Sequence, residues 1–354
     1  MGPGTMPSVA GFSVGCLFAG MGGFASAFAE SGFQVAWATD IDKAACATFA
    51  HRFSGVKPLE RDIRDVHVDA DGLTPVDVLT AGFPCQSFSP AGNKRGFEDE
   101  RGESFFAIPR LLNEFAPETR PKLVVLENVP SILSGGELSW FDTIQRSTRK
   151  AGYWFRRTTC WRANVKDYTG IPQDRERVFL VGASKAHFRH NPFLPPGRNS
   201  NETGGSAALG YDCDPRPIDR IVDRTARGSD ELYLGLENKY GRMIAAKMES
   251  GNAARNIFQL RRNYVREWKG GLCPTLTANM GAGGHNVPFV RDEWGIRKLS
   301  VAEVAALQGF NGAKPLFPDI PDSQKYRLLG NAVCVSLGGI VASQCRRILE
   351  ERIQ

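Results

Sequence analysis

From Phe12 to Val181 the chain alternates short apolar runs with segments whose apolar residues recur at helical spacing, and this rhythm restricts its fold more than any other feature. Such alternation gives a mostly parallel, twisted sheet with helices on both faces, an α/β architecture, because each crossover must carry the chain back over a buried sheet. The pattern predicts strands at residues 12–17, 34–39, 76–81, 123–127 and 178–183, and helices at 23–31, 43–52, 104–115 and 138–151. Open sheets of this class bind ligands outside the carboxyl ends of their strands, so the residues that follow each strand are the ones to read for chemistry.

After Ala183 the rhythm stops. Residues 191–210 are rich in Pro, Gly, Ser and Asn, and no strand–helix alternation is expected to resume before Ser300, which marks a separate lobe or a long insertion. Ser300 and Glu303 have the form of a capping box opening a helix over 300–308, and 336–350 reads as a closing helix. The expected division is a large domain of residues 1–185 and 325–354 and a small domain of 186–324 with a hinge. Residues 239–269 carry eight basic side chains against two acidic ones, the strongest local charge bias in a chain of net charge +6. That bias suits a polyanionic partner without requiring one.

The eight cysteines include no C-x-x-C pair and have no histidine cluster nearby, so neither a zinc site nor a disulfide framework is expected, and the compartment should be reducing. No apolar run is long enough to span a bilayer and the first residues lack the form of a signal peptide, so a cytoplasmic protein without membrane contact is expected.

Leu17 to Gly23 follows a strand and opens a helix, with glycines at 20, 22 and 23. Glycines there either serve turn geometry alone or bring a nucleotide-like ligand against the helix N-terminus. Asp40 ends the next strand 20 residues after Gly20, where an acid can accept from both hydroxyls of a ribose, and Asp62 stands where an adenine amino group would be met. Each acid has the plainer alternative of a solvated or capping carboxylate.

Cys85, in Gly82-Phe83-Pro84-Cys85-Gln86, follows the 76–81 strand at the ligand-binding edge, which makes it a candidate nucleophile where a buried small hydrophobe would otherwise be expected. Residues 91–97 read as a glycine-hinged loop able to close over a substrate. Glu127 ends another strand; an acid held beside a polyanion and apolar walls has reason to stay protonated, as a general acid must, although a strand-end Glu bonded to nearby backbone is the plainer reading. Arg175 and Arg177, one strand period apart, form either a paired cationic clamp or a surface ladder with Asp174 and Glu176.

In content and order these segments resemble the cytosine C5 methyltransferases of bacterial restriction–modification systems. The resemblance rests on Phe18-Ala19-Gly20-Met21-Gly22-Gly23, Pro84-Cys85-Gln86, Arg101-Gly102-Glu103-Ser104-Phe105-Phe106, Glu127-Asn128-Val129, Gln173-x-Arg175-x-Arg177, Leu307-Gln308-Gly309-Phe310 and Gly330-Asn331-Ala332-Val333. It implies a class I S-adenosylmethionine-dependent methyltransferase fold and transfer of a methyl group to carbon 5 of a flipped-out cytosine in duplex DNA, with no metal. It assigns Cys85 and Glu127 as catalytic, Asn128 and Arg175 as orienting the base and Arg177 as supporting the site. Phe18, Ala19, Gly20, Gly22, Gly23, Asp40, Ile41, Asp62, Ile63, Pro84, Asn331 and Ala332 would hold the cofactor.

The opened duplex would be held by Gln86, Ser89 and Arg95, and neighbouring bases read by Arg261, Arg262, Arg266, Thr275 and Thr277. The implied enzyme is a monomer working apart from any cognate restriction endonuclease, and likeness in the middle lobe points to a short GC-rich palindrome of the CCGG type. Two departures stand out: Asp40 where the family usually has Glu, and Ser104 where an apolar cofactor contact is usual. The rival readings are an RNA or transfer-RNA cytosine-5 methyltransferase and a non-catalytic DNA-binding module.

Overall fold

The computed structural model describes residues 11–84, 103–134, 140–196, 218–281, 286–312 and 315–353. Its main sheet runs β3 (Leu59–Glu60), β2 (Gln34–Asp40), β1 (Ser13–Leu17), β4 (Val78–Ala81), β5 (Leu123–Asn128), β9 (Glu176–Ser184), β6 (Tyr153–Trp154), with β7 (Cys160–Asn164) also paired to β9. The first four pairings in that order are parallel. From β1 the chain moves outward through β2 to β3 and then returns to the other side of β1 as β4. The loops leaving β1 and β4 therefore diverge, and a crevice opens between them at the carboxyl edge.

The expected strand at 178–183 is present as β9 but runs antiparallel to β5, pairing Glu127 with Phe179 and Asn128 with Val178. The direction matters for function: an antiparallel strand enters the sheet at the edge where its parallel neighbours leave it. The residues at the start of β9 thus lie beside the end of β5.

Both faces of the sheet are buried, with alternate side chains entering different cores. Val14, Val78, Leu123, Val125, Phe179 and Val181 join Phe24, Phe28 and Val341, contributed by α1 (Gly23–Glu30) and the closing helix. Leu79, Val124, Leu126, Val178 and Leu180 join Phe105, Leu111, Phe141 and Ile144 on the other face. The expected helix at 104–115 divides into a 3-10 turn, Ser104–Phe106, followed by α3 (Ala107–Glu114); α2 (Lys43–Arg52) and α4 (Trp140–Lys150) stand close to their expected limits.

The middle region is more ordered than its composition suggests. Before it, α5 (Val165–Tyr168) and β8 (Gln173–Asp174) precede β9, and within it, beyond β9, lie α6 (Lys239–Glu249) and a second sheet of order β11 (Val265–Trp268), β10 (Ile257–Leu260), β13 (Pro288–Arg291), β14 (Ile296–Lys298). Ile244, Met248, Phe258, Phe289 and Ile296 form its own core. β12 (Cys273–Pro274) leaves this sheet to pair with β8. The capping box at Ser300 and Glu303 opens α7 (Val301–Leu307), and α8 (Asp322–Asn331) leads into the closing helix α9 (Val335–Ile353). Residues 307 and 308 bond to both β8 and α8, through Gln173 Nε2 to the Leu307 carbonyl at 2.7 Å and Gln308 Nε2 to the Leu329 carbonyl at 2.5 Å.

Candidate functional site

The turn after β1 passes through left-handed backbone at Phe18, Gly20 and Gly22, with φ of 51°, 57° and 90°. For a bulky residue such as Phe18 that conformation is strained and persists only where surrounding contacts enforce it. The three glycines serve different ends. A Cβ at Gly23 would lie 2.5 Å from the Val333 carbonyl oxygen and one at Gly22 2.7 Å from the Phe53 ring, so both are packing glycines. A Cβ at Gly20 would meet nothing within 4 Å, and Gly20 lines the crevice.

Asp40, at the end of β2, is tied to that turn: its Oδ2 accepts the Gly20 N–H at 2.7 Å and its Oδ1 the Asp42 N–H at 2.9 Å. Burial pushes its carboxyl up, against the pull of those two bonds. Each oxygen keeps a lone pair for a further donor. Asp62 caps a 3-10 turn, Ile63–Asp65, and pairs with Arg64, whose hydrogen bonds hold its carboxyl below the usual range.

Two adjoining cavities share Phe18, Asp40, Ile41 and Pro84 as walls. One, of about 190 Å³, adds Asp62, Ile63 and Ser104. The other, of about 220 Å³, adds Gly20, Asp42, Gly82, Glu127, Arg175, Arg177, Arg327 and Asn331. Ala19 lines neither cavity and donates its N–H to the Thr39 carbonyl at 2.9 Å. Together the two cavities make one cleft: the first sets Phe18, Ile41 and Ile63 beside Asp40, Asp62, Arg61 and Arg64, and the second mixes the acids Asp40, Asp42 and Glu127 with Arg175, Arg177 and Arg327, so that apolar walls and charges of both signs face a ligand. Among the described residues no group of His, Cys, Asp and Glu is placed to hold a metal ion, and no single helix is long and apolar enough to cross a membrane.

In the larger cavity Glu127 is buried and its Oε1 lies 2.9 Å from Arg177 Nε. Burial pushes its carboxyl up; Arg177 and, less, Arg175 pull it down, and burial dominates. Gly82 leaves room beside it, since a Cβ there would sit 3.8 Å from Glu127 Oε2. Asn128 turns away from the cleft: its Nδ2 donates to the Phe83 carbonyl at 3.2 Å, two residues before Cys85. It steadies the segment leading to Cys85, and neither of the two cavities includes it in its wall.

The two arginines do not form a matched pair. Arg175 is 2% exposed and donates to the carbonyls of Leu276 at 2.8 Å, Ala332 at 2.9 Å and Gly330 at 3.2 Å, joining three segments across the cleft floor. Both arginines line the larger cavity, but Arg175 is spent on backbone carbonyls and Arg177 on Glu127. The surface ladder is also absent: Asp174 pairs with Lys166 and Glu176 with Arg162. Ala332 contributes its carbonyl to Arg175, whereas Asn331 is exposed and lines the larger cavity.

Cys85, Gln86, Ser89 and Arg95 lie outside the described residues; Pro84, next to Cys85, lines both cavities. In the second sheet Arg261, Arg262 and Tyr264 belong to the β10–β11 hairpin tip, and Arg266 stands 4.2 Å over the Trp268 ring. Thr275 Oγ1 donates to the Asp174 carbonyl at 2.6 Å, fastening β12 to β8, and Thr277 Oγ1 donates to Asn279 Oδ1 at 2.6 Å. Arg327, which no motif singles out, pairs with Asp42 across the mouth of the larger cavity. Its one sequence signal is its place a helical turn before Asn331.

A family model described as C-5 cytosine-specific DNA methylase matches residues 12–347. The chain is 34% identical over 327 residues to the type II methyltransferase M.Bsp6I of Bacillus sp. (strain RFL6), covering 91% of this chain and 94% of that protein. It is 29% identical to M1.ScrFI of Lactococcus lactis subsp. cremoris, covering 95% of this chain and 78% of that one. Among solved structures it is similar to the Entamoeba histolytica methyltransferase EhMeth, with TM-score 0.68, 16% identity and coverage of 96% and 98%. It is likewise similar to the S. pombe Dnmt2 methyltransferase, with TM-score 0.66, 18% identity and coverage of 96% and 99%. These last two likenesses bear on the fold.

Proposed function

The chain belongs to the C-5 cytosine-specific DNA methylases, and from that membership we propose that it transfers a methyl group from S-adenosylmethionine to carbon 5 of a cytosine flipped out of duplex DNA, as the modification enzyme of a restriction–modification system. The observation that carries the mechanism is Glu127, an acid whose proton affinity is raised by burial, in the wall of a cleft that Pro84 also lines.

Carbon 5 of cytosine is a weak nucleophile. Addition of the Cys85 thiolate to carbon 6, with Glu127 delivering a proton to ring nitrogen 3, converts the ring to an enamine able to attack an electrophilic methyl. S-adenosylmethionine supplies that methyl as a sulfonium and leaves as the thioether. Loss of the carbon 5 proton to a base, expulsion of the Cys85 thiolate and return of the nitrogen 3 proton to Glu127 then restore the neutral aromatic ring and the starting enzyme. Arg177 holds the Glu127 carboxyl towards the cleft, Arg175 fixes the floor, and Asn128 anchors Phe83 so that Cys85 follows from a defined point.

The fit to the cofactor rests on Gly20, open to the cleft where any side chain would intrude, and on Asp40, buried with acceptor capacity for ribose hydroxyls. Phe18, Ile41, Asp62 and Ile63 wall the adenosine end, and Asn331 faces the tail. Residues 186–324 read the DNA, with Arg261, Arg262 and Arg266 on phosphates and guanine edges. The enzyme acts as a monomer in the cytoplasm, apart from any cognate nuclease, on a short GC-rich palindrome.

Duplex DNA bearing 5-fluorocytosine at the target tests this directly. Fluorine cannot leave as a proton does, so the protein should be trapped on the DNA as a covalent adduct, and Cys85→Ala should form none. Bisulfite sequencing of DNA from cells expressing the protein identifies the target; methyl transfer to transfer RNA but not to duplex DNA would overturn the reading.

A further inference from the structure

The turn that closes the nucleoside end of the cleft is short. Ile63–Asp65 is one 3-10 turn closed by Asp65 N–H to the Asp62 carbonyl at 3.0 Å and Val66 N–H to the Ile63 carbonyl at 3.4 Å. A three-residue 3-10 helix has weak internal bonds and does not hold its shape alone. Yet it presents Asp62 and Ile63 to the cavity.

What holds it comes from another element. Arg110, on α3, directs Nη2 to the carbonyls of Val66 at 2.8 Å, Ile63 at 3.0 Å and Arg64 at 3.3 Å. Its Nη1 bonds Glu114 one helical turn on, and Glu114 Oε2 accepts the Val68 N–H at 2.8 Å. The pair thereby clasps the backbone from residue 63 to residue 68. The segment carrying Arg110 continues directly from the 3-10 turn Ser104–Phe106, whose Ser104 also lines that cavity. One side chain therefore ties two walls of the nucleoside end together.

We propose that Arg110, with Glu114 beside it, is a positioning residue that sets the spacing between the Asp62–Ile63 turn and the Ser104 wall, and so the affinity for the adenosine part of the cofactor. It acts through the turn, without touching ligand. The inference rests on the reading that this cleft holds S-adenosylmethionine. Only a guanidinium fork reaches several carbonyls at once; a lysine in its place engages fewer of them.

The test uses the full chain with Arg110→Met, Arg110→Lys and Glu114→Gln. Three things are measured: equilibrium binding of S-adenosylhomocysteine, KM for S-adenosylmethionine and for DNA with kcat, and thermal melting. Arg110→Met should raise Kd and KM for the cofactor by about tenfold, the factor that the loss of one to two hydrogen bonds corresponds to. At saturating cofactor kcat should stay within about twofold and KM for DNA should not move, the pattern of weakened ground-state binding. Arg110→Lys should fall between, and Glu114→Gln should shift the same constants less; these two carry the test if Arg110→Met does not fold. A lowered melting temperature with unchanged cofactor constants, or parallel changes in kcat and both KM values, overturns the proposal. If the wild-type chain fails to bind S-adenosylhomocysteine, the proposed function falls and this inference with it. Normal wild-type binding that Arg110→Met leaves intact overturns this inference alone.

Discussion

At the carboxyl edge of the large sheet, polar side chains are already bonded within the protein; at the β10–β11 hairpin of the small sheet Arg262 and Tyr264 stand in solvent and Arg266 lies exposed over the Trp268 ring. Asp40, Glu127, Asn128 and Arg175 each have protein partners, and Arg175 is 2% exposed. Arg262 and Arg266 are exposed, and Tyr264 is 56% exposed between them. The first arrangement is fixed before any substrate arrives, as electrostatic catalysis requires. The second is completed only by a partner whose charge and stacked bases replace water. Substitutions at the edge should therefore act on chemistry or fold, and those at the hairpin on DNA affinity and its salt dependence.

The most damaging test of this contrast is Glu127→Gln. Glutamine keeps the shape and an acceptor for Arg177 but cannot give up an acid proton, so kcat should fall by about 10²- to 10⁴-fold. Cofactor binding and duplex binding should hardly change, as titrations with S-adenosylhomocysteine and target DNA would reveal. Substantial residual turnover would mean that the edge is not arranged around this acid. A smaller effect, of another kind, is expected from Gly23→Ala. The new Cβ would press on the Val333 carbonyl at 2.5 Å, and forcing apart packed backbone costs about 1–3 kcal/mol. Thermal melting should record the drop, with kcat of the folded fraction nearly unchanged.

How much of this contrast can be read in sequence differs from residue to residue. Gly20, Asp40 and Glu127 end or follow strands of a buried sheet, and their roles depend on local backbone and strand order, both of which leave a pattern. Asn128 and Arg175 occupy recognisable motif positions, yet their orientation depends on Phe83 and Leu276, 45 and 101 residues away. Arg327 and Arg110 leave almost no local mark, because Asp42 lies 285 residues from the one and Val66 44 residues from the other. The second sheet has no sequence signature either, because strands of four residues such as Ile257–Leu260, buried throughout, show no alternation to detect.

The hairpin half of the contrast is sharpened by neutralising Arg262 and Arg266 to Ala. For each phosphate left without its arginine, the slope of log affinity against log salt should become shallower by about 0.9 on duplex DNA. KM for DNA should rise at physiological salt while kcat and cofactor binding stay put. Unchanged salt dependence would place the DNA elsewhere and leave these side chains as ordinary surface charge.

The subtlest test asks whether the edge is tuned or merely assembled. Burial raises the Glu127 carboxyl, and Arg177, 2.9 Å away, is the largest influence opposing it. If Glu127 acts as the acid, kcat should decline as pH rises through its raised value, since the carboxylate has no proton to give. Arg177→Met removes the opposing charge, so the carboxyl rises further and the declining limb should move to higher pH. Stability follows the same sign. A carboxyl whose folded value is raised stabilises fully below its unfolded value and loses that contribution as pH rises through the folded one. Removing Arg177 widens that window, so the variant's melting temperature should fall relative to wild type mainly above the ordinary carboxylate range, converging towards acid pH. A declining limb that stays in place, or moves to lower pH, would detach Arg177 from the acid it contacts and reduce the pair to a structural ion pair.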